Sequence, residues 1–218
     1  MRSNEIETYK TRLKLSPEQR EVLIGILLGD ATLETQNSGR TYRMKIEHSL
    51  KQRAYAEHMY DMFRDWVLTP PRLKSVALPN GRTYTNMVFS TVSHDSFRFY
   101  AQQFYRERTK VVPKLIKRWL TPRALAYWFM DDGSVKSKQS KGVILNTQGY
   151  AKQEVSRLVR VLYEMFDLEA KSRKQKEGHQ IYISGRSYEK FKSLVSQFIL
   201  PEMSYKVPEA RRTYLPKK

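Results

Sequence analysis

The chain has 218 residues, 40 of them Lys or Arg against 22 Asp or Glu, for a formal net charge of +18. That excess points to a polyanionic partner. Nucleic acid comes ahead of an acidic membrane surface, because the cations recur along the whole chain among Tyr, Thr, Gln and Asn instead of gathering on one amphipathic segment. The absence of cysteine excludes zinc fingers, thiolate catalysis, iron–sulfur clusters and disulfides together, and the longest apolar run, Val22 to Leu28, is too short to span a bilayer.

The length allows one large domain or two small ones. With 40% apolar residues, 14 Tyr, 9 Phe and 3 Trp, the chain has the material for a globular core. The first residues carry no secretory apolar region, and Glu5 and Glu7 argue against a transit peptide; the compartment stays open.

Residues 5–13 read as a short leading helix. A second runs from Ser16 to Asp30, with Ser16 as N-cap, Pro17 at the first helical position and Gln19 completing a capping box. Gly25 and Gly29 lie on one face of it. Each weakens the helix by roughly 1 kcal/mol, which close approach of another backbone would offset. A hairpin follows, with strands 31–34 and 40–47 around a turn at 36–39. Tyr42, Met44 and Ile46 form its apolar face; Thr41, Arg43, Lys45 and Glu47 form the polar one. Lys51 to Val67 has helical spacing, with Tyr55, Met59, Met62, Phe63 and Trp66 inward, and Pro70-Pro71 stops it. A second hairpin occupies 72–92, turning at Pro79-Asn80-Gly81. A helix over 95–107 carries Phe97, Tyr100, Phe104 and Tyr105 on its apolar side, and Lys110-Val111-Val112-Pro113 closes the first half.

The second half repeats the course. Thr121 caps a helix over 122–132, and a hairpin over 134–147 turns at 137–142. A helix over 151–166, strands 168–174 and 179–184, a helix over 187–199 and Lys206-Val207-Pro208 follow. The repeat can be checked at fixed points. Leu23-Ile24-Gly25-Ile26-Leu27-Leu28-Gly29-Asp30-Ala31 matches Leu125-Ala126-Tyr127-Trp128-Phe129-Met130-Asp131-Asp132-Gly133, and Met62-Phe63 matches Met165-Phe166. The expected fold is α+β: a pseudo-twofold duplication of αββαββα over 1–112 and 113–218, with two saddle-shaped antiparallel sheets whose basic faces suit a duplex.

Asp30 and Asp132 occupy the eighth position of their stretches. Either alone would read as a turn residue. Their recurrence in a duplicated frame reads as a paired site for hard divalent cations, which would also relieve the repulsion between the carboxylates. Asp131, one residue out of register, reads as supporting or incidental. Phe129-Met130-Asp131-Asp132 also matches the paired Asp of reverse transcriptases, but the chain is short for a polymerase and the motif recurs at Asp30. Arg43, Lys45, Arg72, Lys74, Arg82, Lys136, Lys138, Lys171, Arg173 and Lys174 are candidates for phosphate and base contacts. Asn146 and Gln148 would place water or read a base. The histidines at 48, 58, 94 and 179 show no metal-ligand spacing and read as ordinary surface or strand residues.

The paired stretches, the Asp at their eighth positions and the αββαββα repeat together resemble the LAGLIDADG homing endonucleases. Trp66 through Pro71, Leu120-Thr121-Pro122, Leu145 through Gln148 and Tyr205 through Pro208 extend the resemblance over nearly the whole chain. Leu28 and Met130 depart from the family's first Asp, Tyr127 from a Gly and Ala31 from the last Gly. The resemblance implies a monomer that binds a long asymmetric double-stranded DNA target and cuts both strands across one minor groove, initiating mobility of its host intron. It implies Mg²⁺ as cofactor, Mn²⁺ as a substitute and Ca²⁺ as a support for binding without cleavage. Asp30 and Asp132, with Gly29 and Asp131 beside them, would hold metal. Lys110 and Lys206, equivalent points each just before a Pro, would polarise the phosphate or organise the water. Two alternatives stay open: an RNA-splicing maturase that binds intron RNA on the same fold, and a catalytically silent DNA-binding regulator. No membrane partner is expected.

Overall fold

The computed structural model describes residues 3–78, 81–137 and 140–208. In the first half, α1 (Ser3–Lys10) leads to α2 (Pro17–Leu28). Strands β1 (Thr32–Glu34) and β2 (Arg43–Ser49), helix α3 (Arg53–Met62), strands β3 (Arg72–Ala77) and β4 (Thr83–Ser90) and helix α4 (Arg98–Phe104) follow. A two-residue hairpin, β5 (Tyr105–Arg106) and β6 (Thr109–Lys110), ends the half. In the second half, the one-turn α5 (Ile116–Trp119) precedes α6 (Pro122–Asp132). Then come β7 (Gly133–Ser137), β8 (Ser140–Leu145), α7 (Lys152–Phe166), β9 (Ala170–Gln175), β10 (Gly178–Ile183) and α8 (Tyr188–Val195).

Both motif helices start where their caps predict. The Ser16 hydroxyl accepts from the Gln19 N–H, and the Gln19 side chain accepts from the Ser16 N–H, each at 3.0 Å. Gln19 also donates to the Met62 carbonyl at 2.8 Å, tying the cap to the end of α3. Thr121 caps α6 through the Ala124 N–H at 3.2 Å.

The sheets have the same antiparallel order, β1-β2-β4-β3 and β7-β8-β10-β9. Thr32 pairs with Lys45, and Ser134, two residues after the second motif Asp, pairs with Ile144. Three residues beyond those partners stand His48 and Thr147, both buried. Each sheet turns one face to the core. On β2, Met44, Ile46 and His48 are buried while Arg43, Lys45 and Glu47 alternate outward; on β10, Ile181 and Ile183 are buried and Tyr182 faces outward. Helices α3 and α7 cover the inner faces. Helices α2 and α6 cross at the centre of the core, Val22–Leu28 and Ala124–Met130 being buried on all sides. Among the described residues no helix is long and apolar enough to cross a membrane.

Several expected helices are shorter than their apolar spacing. The 51–67 stretch breaks at Phe63 into a single 3-10 turn, Arg64–Trp66. That turn buries Trp66 against Phe97 and His94, with ring centroids 5.1 and 5.2 Å apart. The expected helix over 95–107 stops at Phe104 because Tyr105 turns extended and its hydroxyl accepts from the Leu33 N–H at 3.1 Å. Lys110 therefore stands on the small strand β6. At the second hairpin's turn, Pro79 and Asn80 lie outside the described residues; Gly81 has φ +77, a conformation that favours glycine.

Candidate active site

The seam between α2 and α6 explains the two helical glycines. A Cβ on Gly25 would lie 2.4 Å from the Ala124 carbonyl oxygen and 2.8 Å from the Tyr127 Cβ; one on Gly29 would lie 2.3 Å from an Asp131 carboxylate oxygen. At both layers a glycine, Gly25 within α2 and Gly29 at its C-cap, faces a larger residue of α6, which is how Tyr127 is accommodated where the family pattern has a glycine. Polar ties hold the crossing. The Tyr150 hydroxyl donates to the Leu28 carbonyl at 2.9 Å, the Tyr127 hydroxyl meets His58 Nε2 at 2.7 Å, and Arg123 pairs with Glu18 at 3.2 Å and Glu21 at 3.3 Å.

Three carboxylates converge at the C-terminal ends of the two helices. The Asp30 side chain is 48% exposed and the Asp131 side chain is fully buried. One Asp131 oxygen, Oδ2, accepts from the Asp30 N–H at 3.0 Å, and the buried Tyr55 hydroxyl also faces the carboxylate. Asp131 is therefore not incidental: it docks one helix end onto the other. Burial, then the Asp30 charge, holds the Asp131 carboxyl well above the usual carboxylate range. The same two causes push Asp132 up to about 7, against the pull of Lys110 and Lys206.

Each half supplies one lysine to its own helix end. Lys110 Nζ donates to the carbonyls of Gly29 and Ala31 at 2.6 and 2.9 Å. Lys206 Nζ donates to the Met130 carbonyl, with those of Phe129 and Asp131 at 3.5 Å. A cation there satisfies orphan carbonyls and complements the helix dipole. Burial pushes both ammonium groups down from the ordinary lysine range, opposed by all three carboxylates.

Sequence spacing missed His48. It is not an ordinary strand residue: buried on β2, it places Nδ1 3.8 Å from an Asp30 oxygen and Nε2 4.0 Å from Asp131 Oδ1. Burial lowers its pKa. Among the described residues, Asp30, His48 and Asp131 each offer a ligand atom, all within 4.8 Å of one another. The available signal was the inward side of the alternating strand, where Met44 and Ile46 point to the core and His48 continues the row. Thr147, its counterpart, donates instead to the His179 carbonyl at 2.8 Å.

The expected basic residues divide unevenly. Arg43, Lys45, Arg72 and Lys74 lie on the outer face of the first sheet. Arg43 pairs with Glu34 at 2.9 Å; Lys45 and Lys74 pair with Glu47 at 3.1 and 3.2 Å. Arg82 stands exposed just before β4. On the second sheet, Lys136, Lys171 and Arg173 surround the Tyr182 ring, with the Arg173 guanidinium 3.5 Å from its centroid. Strand alternation puts Lys174 on the opposite face from Lys171 and Arg173, so it does not join that cluster. Lys138 lies outside the described residues. Asn146 follows β8 with an exposed side chain, its N–H donating to the Asp132 carbonyl at 3.0 Å. Gln148 is half-buried, with its carbonyl against Gly178.

Residues 20–191 match the model of the LAGLIDADG DNA endonuclease family. A probable intron-encoded endonuclease 1 from Wickerhamomyces canadensis is 34% identical over 208 residues, covering 93% of this chain and 89% of that protein. A cytochrome b mRNA maturase bI2 from Debaryomyces hansenii is 29% identical, covering 88% and 74%. The structure of the homing endonuclease I-WcaI bound to its DNA recognition sequence superposes with a TM-score of 0.90 at 33% identity, covering 94% of this chain and 93% of that one. The chain belongs to the LAGLIDADG DNA endonuclease family.

Proposed function

We propose that the chain is a monomeric homing endonuclease that hydrolyses both strands of a specific DNA duplex with divalent metal, Mg²⁺ in the first place. The observation that carries the reading is the convergence of Asp30, Asp131 and Asp132 at the ends of two crossing helices, beneath two sheets whose outer faces are rich in cations. The donor set fits a divalent cation: hard carboxylate oxygens, with two of the carboxyls driven towards protonation by burial and by the neighbouring Asp30 charge, a repulsion that a cation would relieve. Asp30 and Asp132 would hold the metal, with Gly29 and Asp131 beside them and His48 facing two of the acids. A divalent cation held by these residues would supply activation of a water and compensation of charge on the phosphate and the leaving oxygen.

The chain's own groups have narrower tasks. Asp30, the exposed acid, reaches towards a bound backbone. Asp131 fixes the Asp30 main chain by accepting its N–H. Lys110 and Lys206 hold the helix-end carbonyls and bring positive charge to the scissile phosphates. The outer-face cations neutralise the duplex, most of them through phosphates.

The maturase likeness favours a second reading, binding of intron RNA without DNA cleavage. One assay separates the readings. Plasmid carrying the intron-free form of the gene's own insertion site is incubated with enzyme in Mg²⁺ or in EDTA. Linear product only with Mg²⁺ is expected. No cutting of any such site, with tight binding of intron RNA, would replace the endonuclease reading by the maturase one.

A further inference from the structure

The two motif helices carry their acids at one end; a different surface lies at the other. There Arg20, in the first turn of α2, and Thr121, the N-cap of α6, line a cavity of about 370 Å³ together with Phe99 and Tyr100 of α4 and Arg118 and Trp119 of α5. Ten residues separate Arg20 from Asp30, roughly 15 Å along the helix axis. The three rings form one cluster. Phe99 lies 5.6 Å from both Tyr100 and Trp119, centroid to centroid, and those two are 6.5 Å apart. Tyr100 and Trp119 also pack against the core. Phe99 does not: it is 50% exposed, while Ala101 and Phe104 take the buried side of α4. Two guanidiniums frame the rings. Burial raises the Tyr100 hydroxyl pKa and the Arg20 charge opposes the rise, so Arg20 stands close to that side chain. Among the described residues neither Arg20 nor Arg118 has a carboxylate within ion-pair distance. Glu21, the acid that lines the cavity, is held by Arg123 at 3.3 Å.

A lone exposed aromatic needs no explanation. Three rings in contact, framed by two uncommitted guanidiniums, are the means by which proteins hold an unpaired base and its phosphates. Duplex DNA has no use for them, since its bases are stacked inward and, on the reading above, its backbone lies at the acidic ends of the helices. RNA presents unpaired bases in its loops and bulges. We propose that this slot is a second nucleic-acid site, taking an unpaired base of a structured RNA on Phe99, with Arg20 and Arg118 on the flanking phosphates. RNA and duplex DNA would then be held at once, at opposite ends of the same two helices. The inference goes beyond the endonuclease reading and can fail without it.

The test uses the full-length protein. A labelled hairpin RNA with an unpaired loop, a fully paired RNA and the loop sequence as single-stranded DNA are titrated onto wild type, Phe99→Ala, Phe99→Trp and Arg118→Ala, with and without saturating duplex DNA in Ca²⁺. The hairpin is expected to bind in the presence of duplex. Phe99→Ala should weaken it about tenfold, on the order of one base–aromatic stack, and Phe99→Trp should keep it. Arg118→Ala should flatten the salt slope of hairpin binding by about 0.7. Every variant should bind duplex DNA as wild type does. Unlabelled hairpin should quench Trp119 fluorescence and fully paired RNA should not; Trp66 and Trp128 are buried and give a constant background. If duplex displaces the hairpin, or Phe99→Ala and Arg118→Ala bind it as wild type does, RNA lies elsewhere and the inference falls, with the endonuclease reading untouched. Single-stranded DNA bound as tightly as the hairpin would remove the assignment to RNA. Self-association in sedimentation that Phe99→Ala abolishes, with RNA binding unchanged, would give the surface to a second copy of the chain.

Discussion

Asp132 is the residue whose environment makes the sharpest prediction. In the metal-free protein its carboxyl keeps its proton up to about pH 7, whereas in the unfolded chain it ionises near about 4. Between these values the folded state binds more protons than the unfolded one, so stability falls as pH rises and levels off above 7. The urea midpoint in EDTA is expected to decline from pH 4 to 7, and Asp132→Asn should remove that part of the decline. A midpoint indifferent to the substitution would mean that the carboxyl is solvated. Divalent metal, which needs the ionised form, should raise the midpoint more at pH 8 than at pH 5. In cleavage, Asp132→Asn should lose several orders of magnitude while DNA affinity in Ca²⁺ stays within a few-fold. Parallel loss of both would make Asp132 structural. These pKa shifts could not be read from residue types, because they come from burial and from an acid in the other half of the chain.

At the scale of elements, the glycine seam decides how the halves meet. Gly25→Ala would drive a methyl into the Ala124 carbonyl, a backbone atom with no rotamer to yield. Overpacking of this kind is destabilising by about 1–3 kcal/mol, against about 1 kcal/mol gained in helix propensity. A net loss of stability in chemical denaturation is expected, and a more stable variant would show that the helices can part. Ser16→Ala, which breaks the reciprocal cap, should lower stability by about 1 kcal/mol. Caps, alternating strands and the repeat were legible because each is local: Ser16 and Gln19 are three residues apart, and Met44, Ile46 and His48 follow a period of two. Element ends were less so. The turn that buries Trp66 and the Tyr105 contact with Leu33 are tertiary demands that override helical spacing.

For the whole molecule, one polypeptide supplies both motif helices, both lysines and both sheets, so no second copy is needed to complete the site. Sedimentation should give a one-chain mass for the free protein and one protein per duplex for the complex; a two-to-one complex at micromolar concentration would contradict this. Arg123 reaches from α6 to Glu18 and Glu21, Glu154 Oε1 accepts from the Val112 N–H at 3.1 Å and Arg157 donates to the Val112 carbonyl at 2.8 Å. The join between the halves is thus itself packed, which favours a fixed saddle over two swinging domains.

The amino-acid order by itself determined the duplication, the αββαββα course, the glycine face of the first motif helix and the candidacy of Asp30 and Asp132, because these are periodicities and matches along the chain. Only the tertiary structure decided that Asp131 grips the Asp30 main chain, that His48 faces both acids and that Arg43, Lys45 and Lys74 of the first sheet pair with Glu34 and Glu47. These are encounters between residues on different strands or in different halves. Their energies depend on burial and on distances of a few ångströms, which no local pattern encodes.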